Sequence, residues 1–151
     1  MNGQANEGGH VLKEWIRPNR VVKAHCDLPC GVYDPAQARI EAESVKACME
    51  KFNGSDDPVF KERAVVIKEE RADLVKHHLW VLWTDYFKPE HLEAHPELHD
   101  LFWEATKEAG AAKHSVDPKQ GKKLLDLIAK IDKIFWATKK PTTKKKTAKA
   151  A

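Results

Sequence analysis

Residues 25–33 read His25-Cys26-Asp27-Leu28-Pro29-Cys30-Gly31-Val32-Tyr33. One imidazole, two thiols and a proline-constrained turn fall within one short loop, and together they make a soft-donor metal site. The Cys-x3-Cys spacing alone also fits a disulfide, a redox couple or half of a zinc site. Structural zinc draws four ligands from two Cys/His clusters, and no second CxxC or HxxxH partner sits at a suitable distance in this chain.

The full word HCDLPCGVY, running on into DPAQARIEAESVKA, resembles the start of the mature chain in the nickel-containing superoxide dismutase family. Further stretches carry the same resemblance: VIKEERADLVKHH at 66–78, the segment around Tyr86 and Lys88, and IDKIFW at 131–136. In that family the histidine is the first residue of the processed enzyme, and the segment wraps nickel as a hook. The resemblance therefore implies cleavage between Ala24 and His25 by a maturation peptidase, one nickel ion per subunit, and dismutation of superoxide to O2 and H2O2. It also implies a cis Leu28-Pro29 bond and a homohexamer.

The chemistry of such a hook is coherent. After cleavage, the His25 α-amine, the Cys26 backbone nitrogen and the Cys26 thiolate form two fused five-membered chelate rings. The Cys30 thiolate closes a square plane of two nitrogens and two sulfurs, which suits Ni(II), and the His25 imidazole can reach an axial position. Thiolate and deprotonated amide are strong electron donors that stabilise Ni(III). In the uncut chain, residue 25 offers an amide without a basic lone pair. A free α-amine titrates near pH ~8, so a metal displaces its proton readily at neutral pH.

The resemblance assigns further roles. Tyr33 and Tyr86, the two tyrosines of the chain, line the substrate pocket, and Asp27 holds the tyrosine network. Glu41 and Arg71 contact the histidine. Read from the residues alone, Glu41 falls between Ala38 and Val45, and Arg71 between Ile67 and Leu74, on what look like apolar stripes. A charge on a buried face needs a partner, so the two are expected to pair and to orient the His25 ring. Lys88 is a candidate for steering the superoxide anion. Cys48, inside an expected helix, reads as a small buried hydrophobe.

The elements that position these groups are helical. Asp34-Pro35, Asp57-Pro58 and Asp117-Pro118 share one signature, with Asp suited to the N-cap and Pro to the first helical position. The expected helices cover 35–53, 58–87, 96–112 (with a preceding turn near Pro89) and 118–139, and Gly54 is placed as the C′ residue of the first. Apolar stripes run through Ala38, Val45, Cys48 or Met49 and Phe52; through Phe60, Ala64, Ile67, Leu74 and Val81; and through Leu124, Leu127, Ile128, Ile131, Ile134 and Phe135. The expected fold class is all-α, an antiparallel four-helix bundle with an N-terminal metal-binding hook. Di-iron bundle chemistry needs inward Glu-x-x-His pairs, and the one such pair here, Glu7 to His10, precedes the bundle. His91, His95 and His99 read as surface histidines, and of the adjacent His77 and His78 at most one faces the core.

The chain has 151 residues and a formal charge of +3, which suits one domain. Its charge is unevenly spread. Residues 139–151 hold six lysines and no acid, and residues 1–24 hold four basic and two acidic groups, so the body between them has 16 basic and 21 acidic residues, a balance of −5. The basicity belongs to the ends and argues against a nucleic-acid-binding fold; the tail supports at most weak, salt-sensitive, non-specific binding to nucleic acid. No run approaches the ~18 apolar residues of a membrane span, and an odd count of three cysteines argues against a secreted disulfide framework. The leader lacks the apolar stretch of an export signal but ends Val22-Lys23-Ala24, with small residues at −3 and −1. It reads as a maturation signal on a cytoplasmic protein. The expected organisation is a leader over 1–24, a hook-and-bundle domain over 25–139, and a disordered lysine-rich tail over 140–151. The leader's length and the tail depart from the family pattern. A nickel carrier or sensor using the same hook is the alternative to an enzyme.

Overall fold

The computed structural model describes residues 32–139. Five α-helices follow in order: α1 (Ala36–Asn53), α2 (Pro58–Val81), α3 (Pro89–Ala94), α4 (Leu98–Lys113) and α5 (Pro118–Lys139), with a π-helical turn at Leu82–Tyr86 ending α2. The four long helices form the antiparallel bundle. α1 packs on α2 and α5, and α4 packs on the same two from the opposite side.

The three Asp-Pro starts work as their local chemistry dictates. Asp34, Asp57 and Asp117 each accept the backbone N–H two residues on, at 2.8, 2.9 and 2.9 Å. Ser55 and Ser115 add a second layer, each accepting the N–H of its aspartate. Each helix thus begins with one of its orphan donors satisfied. Gly54 follows α1 as expected, but its φ is −89°, so the turn there does not demand glycine. Gly121 is the glycine that packing requires. A Cβ at that position would lie 2.8 Å from Lys46 Cβ and 2.9 Å from Lys46 Cα, where α5 passes against the backbone of α1.

The α5 stripe is buried throughout, from Leu124 to Phe135. On α1 the inward residues are Ala38, Ala42, Val45 and Met49; Cys48 is half-buried at the edge. The α2 stripe is rotated from the expected one. Phe60, Ile67 and Leu74 are 37–38% exposed, whereas Ala64, Lys68, Ala72, Val75 and Leu79 face inward. The bulky heptad series marks the flank. The true face combines two alanines, which let α2 lie close against α1, with Val75, Leu79 and one long lysine stem.

Lys68 is 2% exposed. Its ammonium donates to the carbonyls of Ala112 (2.8 Å), Lys113 (2.6 Å) and Ser115 (2.7 Å) at the end of α4. All three donors of the group are used. A cation on the last carbonyls of a helix also sits at the negative end of its dipole. Burial lowers the pKa of this group, and Glu69 and Cys48 oppose that shift.

At the π-helical turn Phe87 N–H reaches back five residues to Leu82 O at 3.0 Å. Thr84 Oγ1 lies 2.8 Å from Trp80 O and 2.7 Å from Asp85 Oδ1, and its single proton is shared between these two acceptors. Lys88, which precedes Pro89, is extended (φ −128°, ψ 163°), as the proline ring demands. The helix expected over 96–112 is α4, with α3 as a separate short helix before it. No helix among the described residues is long and apolar enough to cross a membrane.

Candidate active site at the Tyr33–Tyr86 end of the bundle

Tyr33 and Tyr86 come from opposite halves of the sequence and meet with ring centroids 5.8 Å apart. Tyr33 lies just before α1. The π-helical turn delivers Tyr86 onto the Phe135 ring of α5, 4.3 Å away, while Phe87 packs edge-on at 5.0 Å. His91 of α3 stacks on Tyr86 as well, at 5.7 Å and 22°. Its Nδ1 accepts the Lys88 N–H at 3.2 Å, which fixes the ring and assigns the neutral imidazole's proton to Nε2. Lys88 itself is exposed at this corner.

Hydroxyl bookkeeping gives the Tyr86 proton a direction. Thr138 Oγ1 donates to Phe135 O at 2.7 Å and lies 2.8 Å from the Tyr86 hydroxyl. A threonine hydroxyl has one proton, so Thr138 accepts from Tyr86. The Tyr86 O–H therefore points to α5, and its oxygen keeps acceptor capacity.

Glu41 and Arg71 do pair. Arg71 Nη1 lies 3.2 Å from Glu41 Oε2 and 3.4 Å from Oε1, tying α1 to α2. The carboxylate is the more covered of the two, with side-chain exposures of 16% for Glu41 and 41% for Arg71. This pair is not part of the aromatic cluster. Glu41 lies eight residues beyond Tyr33, in the second turn of α1. Arg71 instead borders a groove of about 420 Å3 shared with Cys48, Lys51, Arg63 and Ile67. Burial pushes the Cys48 thiol's pKa up against the opposing pull of Lys51, Arg71 and Lys68, which keeps it a thiol and a poor ligand. His78 is the half-buried member of the His77–His78 pair. His91 and His95 are half-buried as well, and of the three histidines expected at the surface only His99 is fully exposed.

Ala24, His25, Cys26, Asp27 and Cys30 lie outside the described residues, as does the lysine-rich tail from residue 140. Among the described residues no group of three or more His, Cys, Asp or Glu side chains is placed to hold a metal ion. Three residues of this corner carried no signal in the sequence: Thr138, His91 and Lys139. Lys139 ends α5, as the expected helix over 118–139 has it, but its donation to Tyr33 O at 2.8 Å has no counterpart in the sequence reading.

Comparison with known proteins fits this architecture. The family model described as nickel-containing superoxide dismutase matches residues 20–139. Superoxide dismutase (Ni) of Streptomyces coelicolor is 64% identical over 130 residues, covering 86% of this chain and 99% of that protein. Its counterpart from Streptomyces seoulensis is 65% identical over 130 residues, with the same coverage. The native structure of nickel superoxide dismutase at 1.30 Å matches with a TM-score of 0.75 and 68% identity, covering 77% of this chain and all of that one. A structure with nickel ligation of the oxidized state matches at 0.74 and 69%, covering 77% of this chain and 99% of that one. With the matched span including both the HCDLPCGVY word and the whole bundle, the chain belongs to the nickel-containing superoxide dismutase family.

Proposed function

We propose that this chain is cut between Ala24 and His25 by a maturation peptidase and then dismutes superoxide to O2 and H2O2 at its new N-terminus. The donor set fits nickel: two thiols and an imidazole in one short segment, joined after cleavage by an α-amine. His25, Cys26 and Cys30 would hold the ion. When bound, nickel supplies the one-electron Ni(II)/Ni(III) couple by which two superoxide anions and two protons become one O2 and one H2O2.

The remaining work falls to the chain's own side chains. Tyr33 and Tyr86 line the pocket, and Asp27 holds the tyrosine network. The Tyr86 proton is held on Thr138, so Tyr86 presents an acceptor oxygen toward its open side. The Glu41–Arg71 pair orients the His25 ring. The body carries a balance of −5 and repels an anion at long range, which gives the exposed Lys88 a steering role at the pocket's rim. The working form is a cytoplasmic homohexamer, in which neighbouring bundles cover the hook.

The observation that carries this reading is that the metal-binding word ends at Tyr33, which sits 5.8 Å from the chain's other tyrosine. The test compares nickel content and dismutase activity of uncut protein with protein beginning at His25. The cut form is expected to bind nickel and turn over, and the uncut form to do neither. Equal activity in the uncut form would overturn the processing step. Nickel binding without turnover would point to a carrier or sensor. Cys26→Ser or Cys30→Ser should abolish activity, while Cys48→Ser keeps it.

A further inference from the structure

Lys139 is the last residue of α5 and the last residue of the family match. The lysine-rich segment begins at the next position. Lys139 is exposed, yet its ammonium has specific partners. It donates to Tyr33 O at 2.8 Å, bridging 106 residues of sequence. It also lies 4.8 Å from the Phe135 ring centroid, 5.6 Å from Trp136 and 5.9 Å from Tyr86. A hydrogen bond from an ammonium is roughly twice as strong as a neutral one. The aromatic faces add a cation–π attraction, and the position at the end of α5 adds the helix dipole.

The acceptor is the backbone of Tyr33. This carbonyl sits where the hook segment joins the bundle, immediately before the Asp34 cap of α1. Tyr86 is tied to the same end of α5 through Thr138 Oγ1. Adjacent residues of one helix end thus hold both tyrosines, one by its backbone and one by its hydroxyl.

We propose that Lys139 is a positioning residue of the active site: by clamping Tyr33 O to the end of α5 it sets the Tyr33 ring against Tyr86 and anchors the exit of the nickel-binding segment. The proposal rests on the reading of these tyrosines as pocket residues. Loosening the clamp lets the Tyr33 backbone move away from α5. The two rings then separate and the hook loses its fixed end.

The test uses nickel-loaded protein beginning at His25, with Lys139→Met to keep the aliphatic stem and remove the donor, and Lys139→Arg to keep a donor. Two tyrosines mean that fluorotyrosine labelling yields two fluorine resonances. Lys139→Met is expected to shift both, to speed nickel release to a chelator about tenfold and to lower kcat/KM about tenfold, with helical content unchanged. Lys139→Arg should restore all three toward wild type. Wild-type resonances and nickel release in Lys139→Met would overturn the clamp. Shifted resonances with wild-type release and rate would overturn its role at the site. Tyr33→Phe and Tyr86→Phe test the pocket reading separately: full activity in both defeats that reading, while resonances and nickel release still judge Lys139.

Discussion

The Tyr86 hydroxyl rests 2.8 Å from Thr138 Oγ1, across 52 residues of chain, and Thr138 has already committed its own proton to Phe135 O. Direction follows from that commitment: the phenol donates and the threonine accepts.

Replacing Thr138 by valine keeps the shape and removes the acceptor. Thr138→Val should therefore cost about 1 kcal/mol, the usual net worth of such a bond, and lower kcat/KM severalfold as the phenol proton loses its fixed direction. Thermal unfolding and steady-state rates check this. A variant identical to wild type in both would mean that the hydroxyl pair holds nothing in place.

Glu41→Gln and Arg71→Ala separate positioning from stability. The pair is partly exposed, so breaking it should change stability by no more than about 1 kcal/mol. Turnover should fall roughly ten- to a hundredfold with nickel content retained, as for other residues that orient a ligand. Full activity in both variants would show that the pair only joins α1 to α2.

Lys68 makes the opposite prediction. Lys68→Met fills the same space but leaves three carbonyls at the end of α4 without their donor. A loss of about 3 kcal/mol is expected, with amide exchange accelerating first around Lys113. Rate per nickel-loaded molecule should not change, because Lys68 lies away from the tyrosine cluster. A melting temperature equal to wild type would sink this account of the buried ammonium.

His78 sets an acid limit on stability. Burial lowers its pKa from the ordinary 6.5, His77 lowers it further, and Glu41 opposes. The unfolded chain therefore takes up this proton at a higher pH than the folded one. The stabilisation is fully present above about pH 6.5 and is lost as the pH falls through the folded-state value. His78→Gln should flatten the decline in melting temperature between about pH 7 and 5. Equal slopes in the two proteins would show that His78 titrates alike folded and unfolded.

Local chemistry was legible along the chain. The three Asp-Pro starts placed the helix beginnings because an N-cap reaches only two residues. The α5 stripe was read correctly because its large aliphatic residues lie on one face with little competition. Of the expected α2 stripe Ala64 is buried, but Phe60, Ile67 and Leu74 lie on the flank: they follow a helical period, while the core side runs through Ala64, the stem of Lys68, Ala72, Val75 and Leu79.

The hook reading rests on the sequence by itself: His25, Cys26 and Cys30 fall within six residues, so no helix packing is needed to bring such donors within reach of one ion. The Glu41–Arg71 pair was inferred from two charges on adjoining faces, since each needs the other. Only the tertiary structure could decide the rest. Lys68 finds its acceptors 44 to 47 residues away, and Lys139, one lysine in a run of charge, finds Tyr33 106 residues away. Nothing in the neighbours of either residue marks it. Their partners are backbone carbonyls, which every residue carries, and which of these comes within reach is settled by how the four helices pack.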